Sequence, residues 1–251
     1  MKTVAIVNPT SGYHRAPRLW PRLLGSLGEA GANVATWWTE WPGHAETLAA
    51  RARREGFDRV VAVGGDGTLL EVVNGLWWEP QGRLPGVGVV PFGTGCDYVR
   101  SFDLGPTRRD QVMTALGGAA LWVSLGLVRL QGFDGQPRQR VFINVLGLGF
   151  DARIINGFRQ QSLRLPGKTG YFLSGFKELN RLTQHRLTGA LDGCPLDTGA
   201  MLVAIGLGRY FGGGMMITPG ASPQASHFQV ILAQKLSRLE LLALLPGLYS
   251  G

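Results

Sequence analysis

The sequence predicts an α/β chain, with strands alternating with helices on a parallel sheet in the first half and a mainly antiparallel β region in the second. Three observations predict it. Short apolar runs separated by helical runs fill residues 1–121. Polar, glycine-bearing loops follow three of those runs. Beyond Leu121 one strand-like run succeeds another, with glycine turns between them.

In chain order, Val4-Ala5-Ile6-Val7 reads as a buried strand, stopped by Asn8-Pro9-Thr10-Ser11-Gly12. A helix is expected near Pro17 to Ala30, and Val34 to Trp38 is the second strand. His44 to Arg54 is helical, because Ala45, Leu48 and Ala52 recur at helical spacing. Asp58 to Val63 is the third strand, and a helix opens after its loop at Leu69 to Asn74. Val87 to Val90 is the fourth strand. In the second half, strands are expected at Trp122 to Leu130, Arg140 to Leu148, His185 to Leu191, Met201 to Leu207, Met215 to Thr218 and Phe228 to Ala233. A helical insert is expected around Gly170 to Leu182, and a last helix from Leu236 to Tyr249. The change of pattern places a domain boundary near residue 122. Of the adjacent pair Trp37-Trp38, one side chain is expected in the core, since neighbours on a strand face opposite ways. Core packing is the default for both Trp37-Trp38 and Trp77-Trp78, and the alternative for either pair is an apolar wall for an acyl chain.

Composition narrows the class. The 251 residues are 45% hydrophobic, enough for one large core or two modest ones. The 38 glycines follow no period, which excludes a collagen-like chain. Net charge is +8 with a pI of about 10.1, a balance that suits phosphorylated ligands or an anionic membrane face. The basic residues form no tail, and no aromatic–basic module of nucleic-acid binders is present, so nucleic acid is not expected as a partner. Cys96 and Cys194 fit neither a metal spacing nor a disulfide framework, and a reducing cytosol is the simplest compartment. The N-terminal apolar run is too short for a signal peptide, and no run of about 18 apolar residues could span a bilayer. Any membrane contact is therefore expected to be peripheral, at the inner face. Oligomeric state stays open, with a homodimer among the alternatives.

The loop Gly64-Gly65-Asp66-Gly67-Thr68 carries the most chemistry. Glycines between a strand and a helix let backbone N–H groups approach an anion, with a helix N-terminus behind them. A carboxylate in that loop, Asp66, would repel a bare phosphate. It makes sense if Mg²⁺ or a reacting hydroxyl lies between the two, so the loop points to phosphoryl transfer from a magnesium nucleotide. A second loop, Pro91-Phe92-Gly93-Thr94-Gly95, adds two glycines, a hydroxyl at Thr94 and a carboxylate at Asp97. With Asn8 to Gly12, these loops all leave the carboxyl ends of strands, where parallel sheets bind ligands.

Taken in order, Asn8-Pro9-Thr10-Ser11-Gly12, Gly64-Gly65-Asp66-Gly67-Thr68-Leu69 with Glu71-Val72-Val73-Asn74-Gly75, and Pro91-Phe92-Gly93-Thr94-Gly95 with Asp97 resemble the diacylglycerol kinase catalytic domain, more narrowly the bacterial lipid kinases. The resemblance continues through Phe142-Ile143-Asn144, Gly149-Phe150-Asp151-Ala152, Gly208-Arg209-Tyr210-Phe211-Gly212-Gly213-Gly214 and Thr218-Pro219-Gly220-Ala221. It implies a Rossmann-like first domain, 1–121, of the kind in NAD kinases and phosphofructokinases, that binds nucleotide. It implies a β-sandwich C-terminal domain, 122–251, and ATP-dependent phosphorylation of a membrane-lipid hydroxyl in phospholipid metabolism. Nucleotide contacts map onto Thr39, Gly64, Gly65, Asp66, Gly67, Thr68, Leu69, Leu70, Gly93, Thr94 and Gly95. Asp66 would hold Mg²⁺ or orient the acceptor hydroxyl, and Asp97 would help position the lipid headgroup. Glu71 and Asn74 share a face of the following helix and either border the cleft or cap and pack. His44 sits at a helix start, in Thr39-Glu40-Trp41-Pro42-Gly43-His44-Ala45, and reads as structural.

The chain departs from the family at three places. Cys96 stands where the family has Asn, and a thiol cannot reproduce the two-sided hydrogen bonding of an amide. Ala225-Ser226 stands where the family has a metal-holding Asp-Gly pair, so that second metal site is expected to be lost or weak. The family's tail, with an Asp-Gly-Glu segment that supplies the general base, has no counterpart before Gly251, which suggests a truncation or a fragment. Two alternatives follow: a degenerate, non-catalytic binder of nucleotide or anionic lipid, and an NAD kinase-like enzyme. The Pro-Phe-Gly-Thr-Gly and Phe-Gly-Gly-Gly segments favour the lipid kinases over the latter.

Overall fold

Four parallel strands organise the first part of the chain: β1 (Thr3–Val7), β2 (Val34–Trp38), β3 (Arg59–Gly64) and β4 (Gly86–Pro91), in the order β2-β1-β3-β4. The computed structural model describes residues 1–149, 184–234 and 238–250. It divides into two compact units, Met1–Ile143 and Asn144–Gly251.

The central strands β1 and β3 have both faces covered, which is why their sequences are continuous apolar runs. Alternation along them makes two cores. Val4, Ile6, Val60 and Ala62 pack against α4 (His44–Arg54) and α5 (Asp66–Trp78). Ala5, Val7, Val61, Val63 and Val90 pack against α2 (Ala16–Gly25) and α6 (Arg108–Gly117). Trp20, buried in that second layer, donates its indole N–H to Thr36 Oγ1 at 3.1 Å. Gly75 lets α5 lie close to α4, because a Cβ there would stand 2.1 Å from the Glu46 carbonyl oxygen. Both Trp37 and Trp38 are half-buried on edge strand β2, one against each core, while Trp77 and Trp78 are exposed.

The single helix expected near residues 17–30 is broken. After the short turn α1 (Ser11–His14), α2 ends at Gly25 and α3 (Glu29–Ala32) follows, with Gly28 at φ +59 between them. Glycine reaches that conformation without steric cost, so the chain turns there. Helix α6 has no counterpart among the expected elements. Its signal lies in Thr-x-x-Asp: the Asp110 N–H donates to Thr107 Oγ1 at 3.1 Å, and the Thr107 N–H donates to the Asp110 carboxylate at 3.0 Å.

The strand pattern beyond 122 starts inside the first unit. β5 (Gly126–Gln131) and β6 (Pro137–Phe142) form an antiparallel hairpin, and Ile143 joins the core of α4 and α5. Asn74, 3% exposed, fixes it: its Nδ2 donates to the Val141 carbonyl at 3.0 Å, and its Oδ1 accepts from the Val141 N–H at 3.1 Å. The side chain thus acts as a strand partner on a helix, the packing alternative for Asn74.

In the second unit the run expected as one strand, 140–148, resumes as β7 (Val145–Gly149) after Asn144. There the Asn144 carbonyl accepts N–H bonds from Leu207 and Gly208. β8 (His185–Leu191) pairs with β9 (Cys194–Ala200), which the sequence hides behind Pro195, Asp197 and Gly199, all poor strand formers. β10 (Leu202–Gly206) is the middle of an antiparallel sheet β13-β10-β7, completed by β13 (Gln229–Ala233). β11 (Tyr210–Phe211) and β12 (Met215–Met216) form a short hairpin, and α7 spans Arg238–Ser250. The helical insert expected at 170–182 and the residues Phe150-Asp151-Ala152 lie outside the described residues. Among the described residues no helix is long and apolar enough to cross a membrane.

The Asn74 tie has a measurable consequence. Asn74→Ala leaves the buried Val141 N–H and carbonyl without this partner, and should cost about 2–4 kcal/mol. Urea unfolding should show a lower midpoint with an unchanged m-value.

Candidate active site

Register aligns the ends of the central strands. Val7 lies beside Val63, and Gly64 beside Pro91, so the three glycine-bearing loops leave one sheet edge together. Each loop then holds the next. Asn8 donates its N–H to the Val63 carbonyl at 3.0 Å and its Nδ2 to Thr68 Oγ1 at 3.2 Å. Its Oδ1 accepts from the Thr10 N–H and hydroxyl, which closes an Asx turn. Gly12, at φ +62, lies so close to Phe92 that a Cβ would stand 3.0 Å from the Phe92 carbonyl oxygen.

The second and third loops meet backbone to backbone. The Gly64 carbonyl accepts from the N–H groups of Phe92 (2.8 Å) and Gly93 (3.1 Å). A Cβ on Gly93 would stand 2.4 Å from the Gly65 Cα. Gly93 alone makes that approach possible, and a Cβ on Gly65 would lie a tight 3.2 Å from the Gly93 Cα. Helix α5 starts at Asp66 with Gly65 at the N-cap position and no side-chain cap, so its N-terminus is available to an anion. Gly67 and Thr94 are exposed beside it, and nothing lies within 4 Å of where a Gly67 Cβ would be.

Asp66 ties the helix to the third loop. Its two carboxylate oxygens accept the N–H groups of Asp97 and Tyr98, each at 3.0 Å, at the start of a 3₁₀ turn over Tyr98–Ser101. Asp97 is buried, and its carboxylate faces Arg100 Nε at 3.2 Å. The missing Cβ of Gly95 would lie 3.4 Å from Asp97 Oδ2 and 3.5 Å from Asp66 Oδ2, so the two carboxylates flank that glycine.

The remaining expected residues separate. Thr68 is buried against Gly64, Leu69 enters the core, and Leu70 is exposed. Thr39 sits at the end of β2, its N–H on the Val7 carbonyl at 3.0 Å, two strands from Gly64 at the same sheet edge. Glu71 accepts from the Gly43 and Ala45 N–H groups and so caps α4. His44 accepts from the Glu40 N–H through Nδ1 and stacks on Trp41, ring centroids 3.8 Å apart. Sequence reasoning misses two braces. One is Asn8, legible only as a turn residue. The other is Arg108, one of the scattered basic residues, which donates to the Pro91 carbonyl and lies over the Phe92 ring.

Residues 2–128 match the diacylglycerol kinase catalytic domain, and residues 144–251 match the YegS C-terminal NAD kinase beta sandwich-like domain. The chain belongs to the diacylglycerol kinase catalytic domain family. It is 30% identical over 236 residues to a diacylglycerol kinase of Staphylococcus aureus (strain MRSA252), covering 94% of this chain and 71% of that protein. It is 28% identical to the diacylglycerol kinase of Staphylococcus saprophyticus over the same share of this chain and 74% of the relative. A solved diacylglycerol kinase structure from Bacillus anthracis shares the fold, with a TM-score of 0.68 at 20% identity over 93% of this chain and 73% of that one. The parallel-sheet first part and antiparallel second part expected from the sequence are thus the architecture of this kinase family.

The residues fit a magnesium nucleotide in part. Each Asp66 oxygen has accepted one N–H and keeps a lone pair for a cation or a hydroxyl. Among the described residues no three His, Cys, Asp or Glu side chains are grouped to hold a metal by themselves. Ala225, in a turn closed by its N–H on the Ser222 carbonyl, brings no side-chain oxygen. Cys96 occupies a left-handed position, φ +49, that favours Asn or Gly. Burial and the nearby Asp66 charge push its thiol up to about 11.

Two outcomes follow. Gly93→Ala must force the Gly65 and Gly93 backbones apart, and thermal melts should show a loss of about 1–3 kcal/mol. At pH 8, iodoacetamide should modify exposed Cys194 while Cys96, still a protonated thiol, is spared, as peptide mapping by mass spectrometry would show.

Proposed function

We propose that this chain transfers the γ-phosphoryl group of ATP to a hydroxyl of a membrane lipid such as diacylglycerol. The observation that carries the reading is the backbone contact of Gly65 and Gly93 at an N-terminus of α5 that no side chain caps. Phosphate oxygens can approach such a backbone closely, and the partial positive charge of the helix end favours them. Gly64, Gly65, Gly67 and Thr68 cradle the phosphates, and Gly93, Thr94 and Gly95 close the other side. Thr39, at the end of β2, and exposed Leu70, in the second turn of α5, contribute to nucleotide contact, while Leu69, expected there too, is spent on the core.

Asp66 is the residue nearest the chemistry. Its carboxylate is fixed by two N–H bonds, so its remaining lone pairs point from a defined place. There it orients the acceptor hydroxyl or a water on the cation. When bound, Mg²⁺ would neutralise phosphate charge that the single carboxylate would otherwise repel. In the balanced step, the lipid oxygen bonds to the γ-phosphorus as the bond to the bridging oxygen breaks. The hydroxyl proton passes to a base and ADP departs. Asp97 acts more remotely: its N–H holds Asp66, and its carboxylate positions Arg100, which can face a lipid headgroup.

The double capping duty of Asp66 and the absence of a side-chain oxygen at Ala225 favour a second reading, a non-catalytic binder of nucleotide or anionic lipid. One assay separates the readings. The protein is incubated with radiolabelled ATP, Mg²⁺ and, in separate arms, NAD or mixed micelles of diacylglycerol, monoacylglycerol or sphingosine, and ATP binding is measured by calorimetry. Label in lipid supports the kinase; ATP binding without label supports the second reading; label in NAD alone would assign an NAD kinase. Asp66→Ala should abolish transfer, and wild-type turnover by that variant would refute the role of Asp66.

A further inference from the structure

One exposed apolar element has no part in that chemistry. The β5–β6 hairpin ends in Gly132-Phe133-Asp134-Gly135, and the Phe133 side chain is fully exposed. The turn beneath it is ordered. The Gly132 N–H donates to the Gln136 carbonyl at 2.8 Å, and the Gly135 N–H to the Gly132 carbonyl at 2.9 Å. Asp134 accepts from the Gln136 N–H at 3.2 Å and pairs with Arg138 at 2.7 Å. The phenyl ring thus projects into solvent from an ordered turn.

Basic groups stand behind the ring. The cross-strand register sets Leu130 opposite Arg138, with exposed Arg129 next along β5. The hairpin carries three arginines: Arg138 pairs with Asp134 and Arg140 with Glu46 of α4, while Arg129 stands exposed with no acidic partner among the described residues. An aromatic tip with exposed Leu130 beside it and a free cation behind matches the layering of a bilayer surface. Apolar groups reach the acyl boundary, and long cationic side chains reach the headgroups. The tip of a single hairpin also offers little area to a protein partner, since stable protein interfaces bury about 800 Å² per partner.

We propose that this hairpin docks the protein on an anionic lipid surface, with Phe133 and Leu130 entering the acyl boundary and Arg129 facing lipid phosphates. The choice of partner rests on the lipid-kinase reading, because an enzyme whose acceptor stays in the bilayer must work at its surface.

The test is cosedimentation of the full chain with phosphatidylglycerol/phosphatidylcholine vesicles and with pure phosphatidylcholine vesicles. Phe133→Ser should lower partitioning about tenfold, with an unchanged melting temperature. Arg129→Ser should cost about fivefold on the anionic vesicles and nothing on the neutral ones. Phosphorylation of a short-chain diacylglycerol dissolved below its micellar concentration should not change in Phe133→Ser. Equal partitioning of wild type and Phe133→Ser overturns the proposal. So does a concentration-dependent dimer that Phe133→Ser abolishes, which would assign the tip to a second copy. If no diacylglycerol is phosphorylated yet Phe133→Ser still loses vesicle binding, the kinase reading fails and the docking surface stands.

Discussion

The contact between the backbones of Gly65 and Gly93 is the constraint on which the site depends. Any side chain at Gly93 would run into the Gly65 Cα, so the two loops meet only because Gly93 has no Cβ, and a Cβ on Gly65 would be a tight 3.2 Å from the Gly93 Cα. That contact sets Asp66 within reach of the Asp97 and Tyr98 N–H groups and leaves the α5 N-terminus open. The sheet supplies the rest of the precision. Central strands buried on both faces hold the starts of the loops in register, and the loops need to be correct over only a few residues.

Asp66 joins structure to chemistry. A carboxylate that receives two backbone N–H bonds is held far more firmly than one on a free rotamer, and it keeps lone pairs for a ligand. The cost is that the same atoms hold the third loop, so removing the charge also loosens the site. Glu71 and Asn74, one and two turns along the same helix, show the contrasting case. Glu71 is spent on the start of α4 and Asn74 on the backbone of β6. One helix thus anchors two neighbouring elements and aims its first residue at the candidate site.

Much of this is legible in the amino-acid order alone. The strand-and-loop rhythm of the first half, the three loops at one edge and the ordered motifs locate both the fold and the candidate site. The departures follow one rule: local pattern fails where a partner decides. β9 contains Pro195, Asp197 and Gly199, and becomes a strand because β8 pairs with it. The hairpin beyond 122 joins the first unit because Asn74 holds it. Arg108 has the pattern of a solvated charge, yet it is engaged by the Phe92 ring and the Pro91 carbonyl.

The sequence by itself determined the residue types: glycines where backbones must touch, a carboxylate among them, and apolar runs dense enough to bury two strands. These are properties of single positions and short spacings, and they need no knowledge of the fold. Only the tertiary structure decided how each polar side chain is engaged. Asp97 turns to Arg100, Glu71 to α4 and Asp66 to the third loop, because a carboxylate takes whichever donors the folded chain brings within about 3 Å. For Glu71 and Asp66 those donors come from residues about 30 positions away in the chain. No local pattern encodes such a pairing.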